Sequence, residues 1–260
     1  TVGLTTSGNT TLSSTGTVTQ SAAITAAGLE LLGTNGIYTL TNTSNAITTL
    51  AGNTGTVSLV ENSGFAIGTI SSTVGLTTSG NTTLSSTGTV TQSAAITAAG
   101  LELLGTNGVY TLTNTSNAIT TLAGNTATVS LVENSGFAIG TVNTVGLTTS
   151  GDLTLSSTGT VTQSQKIAAA GLELLGTNGI YTLTNTSNAI TTLAGNTATV
   201  SLVENSGFAI GTVNTVGLTT SGNTTLSSTG TVTQSAAITA AGFELLGSGG
   251  TYTLTNTGNA

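Results

Sequence analysis

The chain has 260 residues, 36 of them Gly and about a quarter Thr, with no Pro, Cys, Met, Trp or His; eight acids against one base leave a net charge of −7. The single cation, Lys166, offers no patch to neutralise phosphates or hold anionic lipid, and without Cys or His there is no disulfide, no usual zinc site and no triad. Thr, Ser, Asn or Gly interrupts every apolar run well short of the eighteen or so residues of a spanning helix, so neither a nucleic-acid partner nor membrane insertion is expected.

In chain order, the motif TVGLTTSG begins at Thr1, Thr73, Thr144 and Thr215. It divides the sequence into repeats 1–72, 73–143, 144–214 and a shortened 215–260. These read as one continuous segment, 1–260, of a longer chain, since Thr1 opens inside a repeat without a leader-like stretch. The first repeat reads as four windings, 1–16, 17–36, 37–55 and 56–72. Each is built of short runs with an aliphatic at every second place: Leu40; Ile47 and Leu50; Val57 and Leu59; Phe65 and Ile67. Small polar corners, TNTSN, AGNTG and ENSG, part the runs.

Period two means strands, and strand, corner and strand without a helical crossover means a chain winding on itself. The fold class is therefore all-β, a parallel β-helix or β-solenoid with about four coils per 71–72-residue repeat. At about eighteen residues a coil this predicts some fourteen coils and a rod near 70 Å long, against a rival count of three coils of about twenty-four residues. One coil buries too few aliphatics to offset its backbone entropy, so stability must come from stacking, and a ladder of this kind explains the absence of Pro. Asn42, Asn45, Asn53 and Asn62 and their copies fall at corners, either as solvated turn residues or as amides bonded from coil to coil.

Candidate chemistry is sparse. Glu30, Glu102, Glu173 and Glu244 stand in LELL or FELL, where alternation points the acid outward as a solubilising group. Glu61, Glu133 and Glu204 fall at the corner VEN and read likewise as solubilising outward acids; the alternative there is a weak cation site, although the dense Asp and Gly pattern of calcium-binding repeats is missing. Each set recurs once per long repeat, too far apart for paired general acid and base work. Asp152 and Lys166 interrupt otherwise identical copies and read as drift on a solvated face. Tyr38, Tyr110, Tyr181 and Tyr252 share a face with aliphatics such as Leu40 and should pack inward; the alternative is an exposed sugar platform. Alternating Thr17 and Thr19, and Thr39, Thr41 and Thr43, are the pattern of an ice-binding face, though not at every coil. No catalytic, cofactor-binding or metal-binding residue is assigned, and no cofactor; an enzyme is not expected.

The runs SGNTTLSSTGTVTQSAAITAAGLELLG and YTLTNTSNAITTLAGNTGTVSLVENSGFAIGTI, with their copies, resemble the repeat arrays of filamentous haemagglutinin-like large exoproteins, secreted bacterial surface proteins. The resemblance spans essentially the whole chain and lies in the repeat pattern. It implies a right-handed parallel β-helix exported to the cell surface, the shaft of an adhesin or an extracellular fibre. The expected partners are other copies, end to end or side by side, and host or matrix surfaces. The alternatives are a carbohydrate-active β-helix, lyase or hydrolase, and an ice-binding solenoid.

Overall fold

The computed structural model describes residues 3–260; Thr1 and Val2, which open the first TVGLTTSG copy and the first winding, lie outside the described residues. Among the described residues there are strands, turns and bends but no helix. Twenty-four strands form one continuous sheet whose ladders are all parallel. The molecule is a β-solenoid of about twelve turns.

Alternation decides what goes inside. Along Asn81–Ser86, Thr82, Leu84 and Ser86 are buried, while Asn81, Thr83 and Ser85 face out. Stacked rungs bring the inward residues of neighbouring turns together, so Leu59, Leu84 and Leu103 form one column through the core. Tyr38, Tyr110 and Tyr181 are fully buried, as their shared face with the aliphatics requires. The Tyr110 hydroxyl donates to the carbonyls of Leu84, 2.8 Å, and Leu104, 2.6 Å, so the ring fills the core and its polar end is satisfied. Burial pushes the Tyr110 and Tyr181 hydroxyls far up from their ordinary value, and they stay protonated.

Each long repeat spans three and a half turns. From Val18 the ladder climbs through Tyr38, Val57, Thr82, Leu101, Leu122 and Ile139 to Gln163, seven steps in all. Two repeats on, the copy of Val18 is Val161, two residues short of Gln163 on the same strand, Thr160–Gln163. One repeat on, the copy is Val90, which falls between Thr82 and Leu101, roughly half a turn from the starting column. Successive repeats therefore present their features on opposite sides. The reading of about four coils rounds this figure up, and fourteen coils becomes about twelve, a rod of about 55–60 Å.

The difference lies in residues that leave the wall. At 68–75, 140–146 and 211–217 the chain steps out of the parallel ladder and returns. Ile67 and Leu76 stack on Leu50 and Gly52 of a single strand below, and the residues between them hang outside. The neck is closed by glycines: Gly75 N–H donates to Gly68 at 2.8 Å, Gly146 to Gly140 at 2.9 Å and Gly217 to Gly211 at 2.7 Å. Gly75, Gly146 and Gly217 have φ of 75–77°, a left-handed backbone that a side chain would strain. The first excursion is a small antiparallel hairpin, Thr69–Ile70 on Thr73–Val74; the later two are one residue shorter and keep a single bridge, Thr141 to Val145 and Thr212 to Val216. That residue is why the long period is 72 once and 71 twice.

Candidate functional site

Apart from Glu244, the glutamates of both sets lie inside the protein. The reading of Glu30, Glu102 and Glu173 as solubilising acids is corrected: their side chains do point away from the aliphatic core, but the excursion of the same repeat folds down over them and leaves Glu102 and Glu173 1 % exposed. Outward is not the same as solvated.

The geometry follows from the column. Thr83, Glu102 and Ala123 stack on successive turns, and the neck at Gly140 and Gly146 sits directly above Ala123. Ala123 is fully buried although it faces out, because the hairpin passes over its methyl group. Gly100 clears the way beside it: a methyl there would come within 2.6 Å of Asn81 Oδ1 and 2.9 Å of Val142. At the tip of the hairpin Thr144 N–H donates to Glu102 Oε1 at 2.5 Å, and Asn143 Nδ2 donates to Oε2 at 2.8 Å. Thr83 donates its hydroxyl to Oε2 at 2.8 Å, and Asn143 Nδ2 also reaches Thr83 Oγ1 at 3.3 Å. The third repeat repeats the arrangement with Thr154, Glu173, Asn214 and Thr215. Burial pushes the carboxyls of Glu102 and Glu173 up, but the hydrogen bonds from the hairpin and from the threonine together outweigh it and hold both below the ordinary value of 4.5. In the fourth copy Glu244 is exposed and keeps only Thr225, at 3.2 Å.

The corner acids answer a different need. Glu61, Glu133 and Glu204 are also buried, so a solvated corner acid is corrected too. Glu133 Oε2 accepts Ser135 N–H at 2.7 Å, and Oε1 accepts the Ser135 hydroxyl at 3.3 Å and Ile119 N–H at 3.4 Å. Here burial prevails and raises Glu61 and Glu133 above 4.5, with backbone and Ser hydrogen bonds offsetting part of it. The carboxylates satisfy backbone donors of the turn, and among the described residues no group of three or more metal-ligating side chains comes together.

A third cluster had no signal in single residues. Gln92 Nε2 donates to Asn117 Oδ1 at 2.9 Å while Asn117 Nδ2 donates back to Gln92 Oε1 at 2.8 Å, one turn apart. Asn117 also takes Ile96 N–H and gives to the carbonyls of Leu112 and Val132. The same pair recurs as Gln20 with Asn45 and Gln163 with Asn188. Side-chain amides pair with each other from coil to coil at one of the four Asn sets; Asn42, Asn114 and Asn185 accept the amide two residues on in exposed turns, and Asn185 Nδ2 also reaches the Ser164 carbonyl one coil back at 3.4 Å. The sequence clue was the joint recurrence of TQS and SNA, 25 residues apart.

Neither Asp152 nor Lys166 belongs to any of these clusters. Asp152 occupies the place that Asn81 and Asn223 hold in their copies, its carboxylate against Gly171 as Asn81 lies against Gly100. On the outside of the wall, Thr19, Thr39, Ser58 and Thr83 make an unbroken hydroxyl column, repeated half a turn away by Thr91, Thr111, Ser130 and Thr154.

Residues 195–260 match the family described as repeats of unknown function, DUF5649. That stretch is about a quarter of the chain, holds one hairpin and the coils that follow it, and recurs almost letter for letter at 124–189 and, with one extra residue in the hairpin, at 52–118. No curated protein and no solved structure matches the chain.

Proposed function

We propose that this chain is a non-enzymatic structural shaft, part of a secreted bacterial surface protein that carries an adhesive tip or builds an extracellular fibre. The observation that carries the reading is the unbroken parallel ladder over about twelve turns, in which no buried side-chain donor or acceptor of the described residues lacks a partner. A rod of this kind resists bending and stretching through its backbone hydrogen bonds, and its length scales with copy number. Every buried carboxylate is engaged by donors of its own turn, of the neighbouring wall or of the hairpin that covers it, which favours architecture over catalysis. The extracellular setting and the contacts with other copies, hosts or matrix rest on the resemblance of the repeats.

Imaging of the native assembly by electron microscopy tests the reading: straight unbranched rods at the cell surface are expected, and compact particles in the cytoplasm would overturn it. A polysaccharide-cleavage assay addresses the carbohydrate-active alternative, with no turnover expected; turnover abolished by Lys166→Ala would replace the shaft with an enzyme. One observation favours ice binding as a second reading, the hydroxyl columns stacked about 4.8 Å apart on each side. Each column stops after four rungs, where a hairpin covers the next acid, so thermal hysteresis of the purified chain is expected to be negligible.

A further inference from the structure

The three hairpins share the shaft out between them. The first clasp runs from Thr11, through Glu30 and Ala51, to the neck that returns at Leu76. The second begins at Thr83, seven residues after Leu76, and its neck returns at Leu147; the third begins at Thr154, again seven residues on, and returns at Leu218. Each clasp thus starts in the turn where the one before it ends, and none of the turns from Thr11 to Leu218 lies outside a clasp. Because a long repeat is three and a half turns, the second clasp closes on the side opposite the first and third.

We propose that the hairpins are axial clasps that make the three-and-a-half-turn block, and not the single coil, the unit in which the shaft opens under load. In an unclasped solenoid each coil contacts only its neighbours and peels away alone. Here the residues at the tip of each later hairpin are bonded two to three turns down: Asn143 reaches Glu102, 41 residues back, and Thr83, 60 residues back. A coil between them cannot leave until the hairpin that crosses it lets go. The contacts are hydrogen bonds to a desolvated carboxylate, short in reach and cooperative in geometry, so they break together rather than stretch. This deepens the shaft reading and rests on it only for its purpose, because the mechanical behaviour is a property of the chain wherever it is found.

The test is single-molecule stretching of the 260-residue chain held at its two ends. Wild type is expected to lengthen in steps of about 70 residues, roughly 250 Å each at full extension. Steps of about 20 residues, roughly 70 Å, would overturn the proposal. The double variant Asn143→Ala, Asn214→Ala removes the side-chain grip of the second and third clasps at two exposed positions without touching the core, and should break their two large steps into single-coil ones while the step of the first clasp remains. As many large steps in the double variant as in wild type would also overturn it. Amide exchange gives a second readout independent of pulling: Thr144 and Thr215 N–H should exchange about 10- to 100-fold faster in the variant while the Leu103 and Leu174 amides do not change. Equal exchange at Thr144 and Thr215 in both chains would mean the hairpin is held by something other than the clasp. None of these outcomes bears on whether the native assembly is a rod at the cell surface, so a failure here and a failure of the shaft reading are told apart.

Discussion

The first hairpin and the two later ones do the same job with different chemistry. GTISSTVG closes as a proper antiparallel pair around Ser71 and Ser72, with Ser71 in the left-handed region at φ 54°, and it lays Ile70 into the space beside Gly28. Its acid is held by hydroxyls: Thr11 donates to Glu30 at 2.6 Å, and the side chains of Thr11 and then Thr73 lower its pKa against a small effect of burial. GTVNTVG is one residue shorter and a poorer hairpin, with a single bridge, yet it aims an Asn amide and a backbone N–H at the carboxylate and covers it more fully, 1 % exposed against 4 % for Glu30. Shortening the tip turns backbone that was satisfied within the hairpin into donors for the wall. Stability moves from the hairpin's own pairing to the contact it makes.

The largest effect that would break the comparison is charge reversal. Glu102→Lys puts a cation where only donors face it and should cost about 3–5 kcal/mol, whereas Glu244→Lys, at the exposed copy, should stay within about 0.5 kcal/mol. Urea midpoints of the two variants check this, and equal losses would mean that the hairpin adds nothing to the acid's surroundings.

Neutralising the acid is a gentler cut. Glu102→Gln weakens several charge-assisted bonds and should cost about 1–2 kcal/mol at neutral pH, more than Glu30→Gln, which has fewer to lose. The same substitution at Glu133 should be close to neutral or mildly stabilising, since burial there already disfavours the charged form.

The pH dependence separates the two kinds of acid by sign. Glu102 and Glu173 have folded pKa values below 4.5, so the stability they confer is present above 4.5 and is lost as pH falls through the lowered value. Glu61 and Glu133 have folded values above 4.5, so theirs is present below 4.5 and is lost as pH rises through the raised value. Amide exchange between pH 7 and 3, corrected for the intrinsic rate, should show the Thr144 amide losing protection while the Ser135 amide keeps or gains it. Smallest of all, replacing Ile70, Ser71 and Ser72 by Val and Asn should convert the first clasp into the later kind and add about 0.5–1 kcal/mol, read as a shift in the thermal midpoint.

Much of the wall was legible because its rule is local. Leu84, Leu103, Tyr110 and Ile139 announce their side of the strand through neighbours one and two residues away, and the core positions follow wherever the alternation holds. The hairpins were not legible in the same way. GTISSTVG and GTVNTVG alternate as well as any wall strand, and the only local mark of their departure is a glycine at each end, in a chain with 36 glycines. Counting them as wall added more than one turn to the expected number. The acids were misjudged for a related reason: alternation correctly placed Glu102 outside the aliphatic core, but what lies above it comes from 41 residues further along the chain.

Strand, parallel stacking and the identity of the buried aliphatics were set by the sequence alone, because a side chain's face depends on a period of two that each rung expresses for itself. The tertiary structure decided the three and a half turns per repeat, the alternation of sides and the burial of the glutamates. Those depend on which residues the winding brings above one another, and that register accumulates over whole turns, so a local pattern does not contain it.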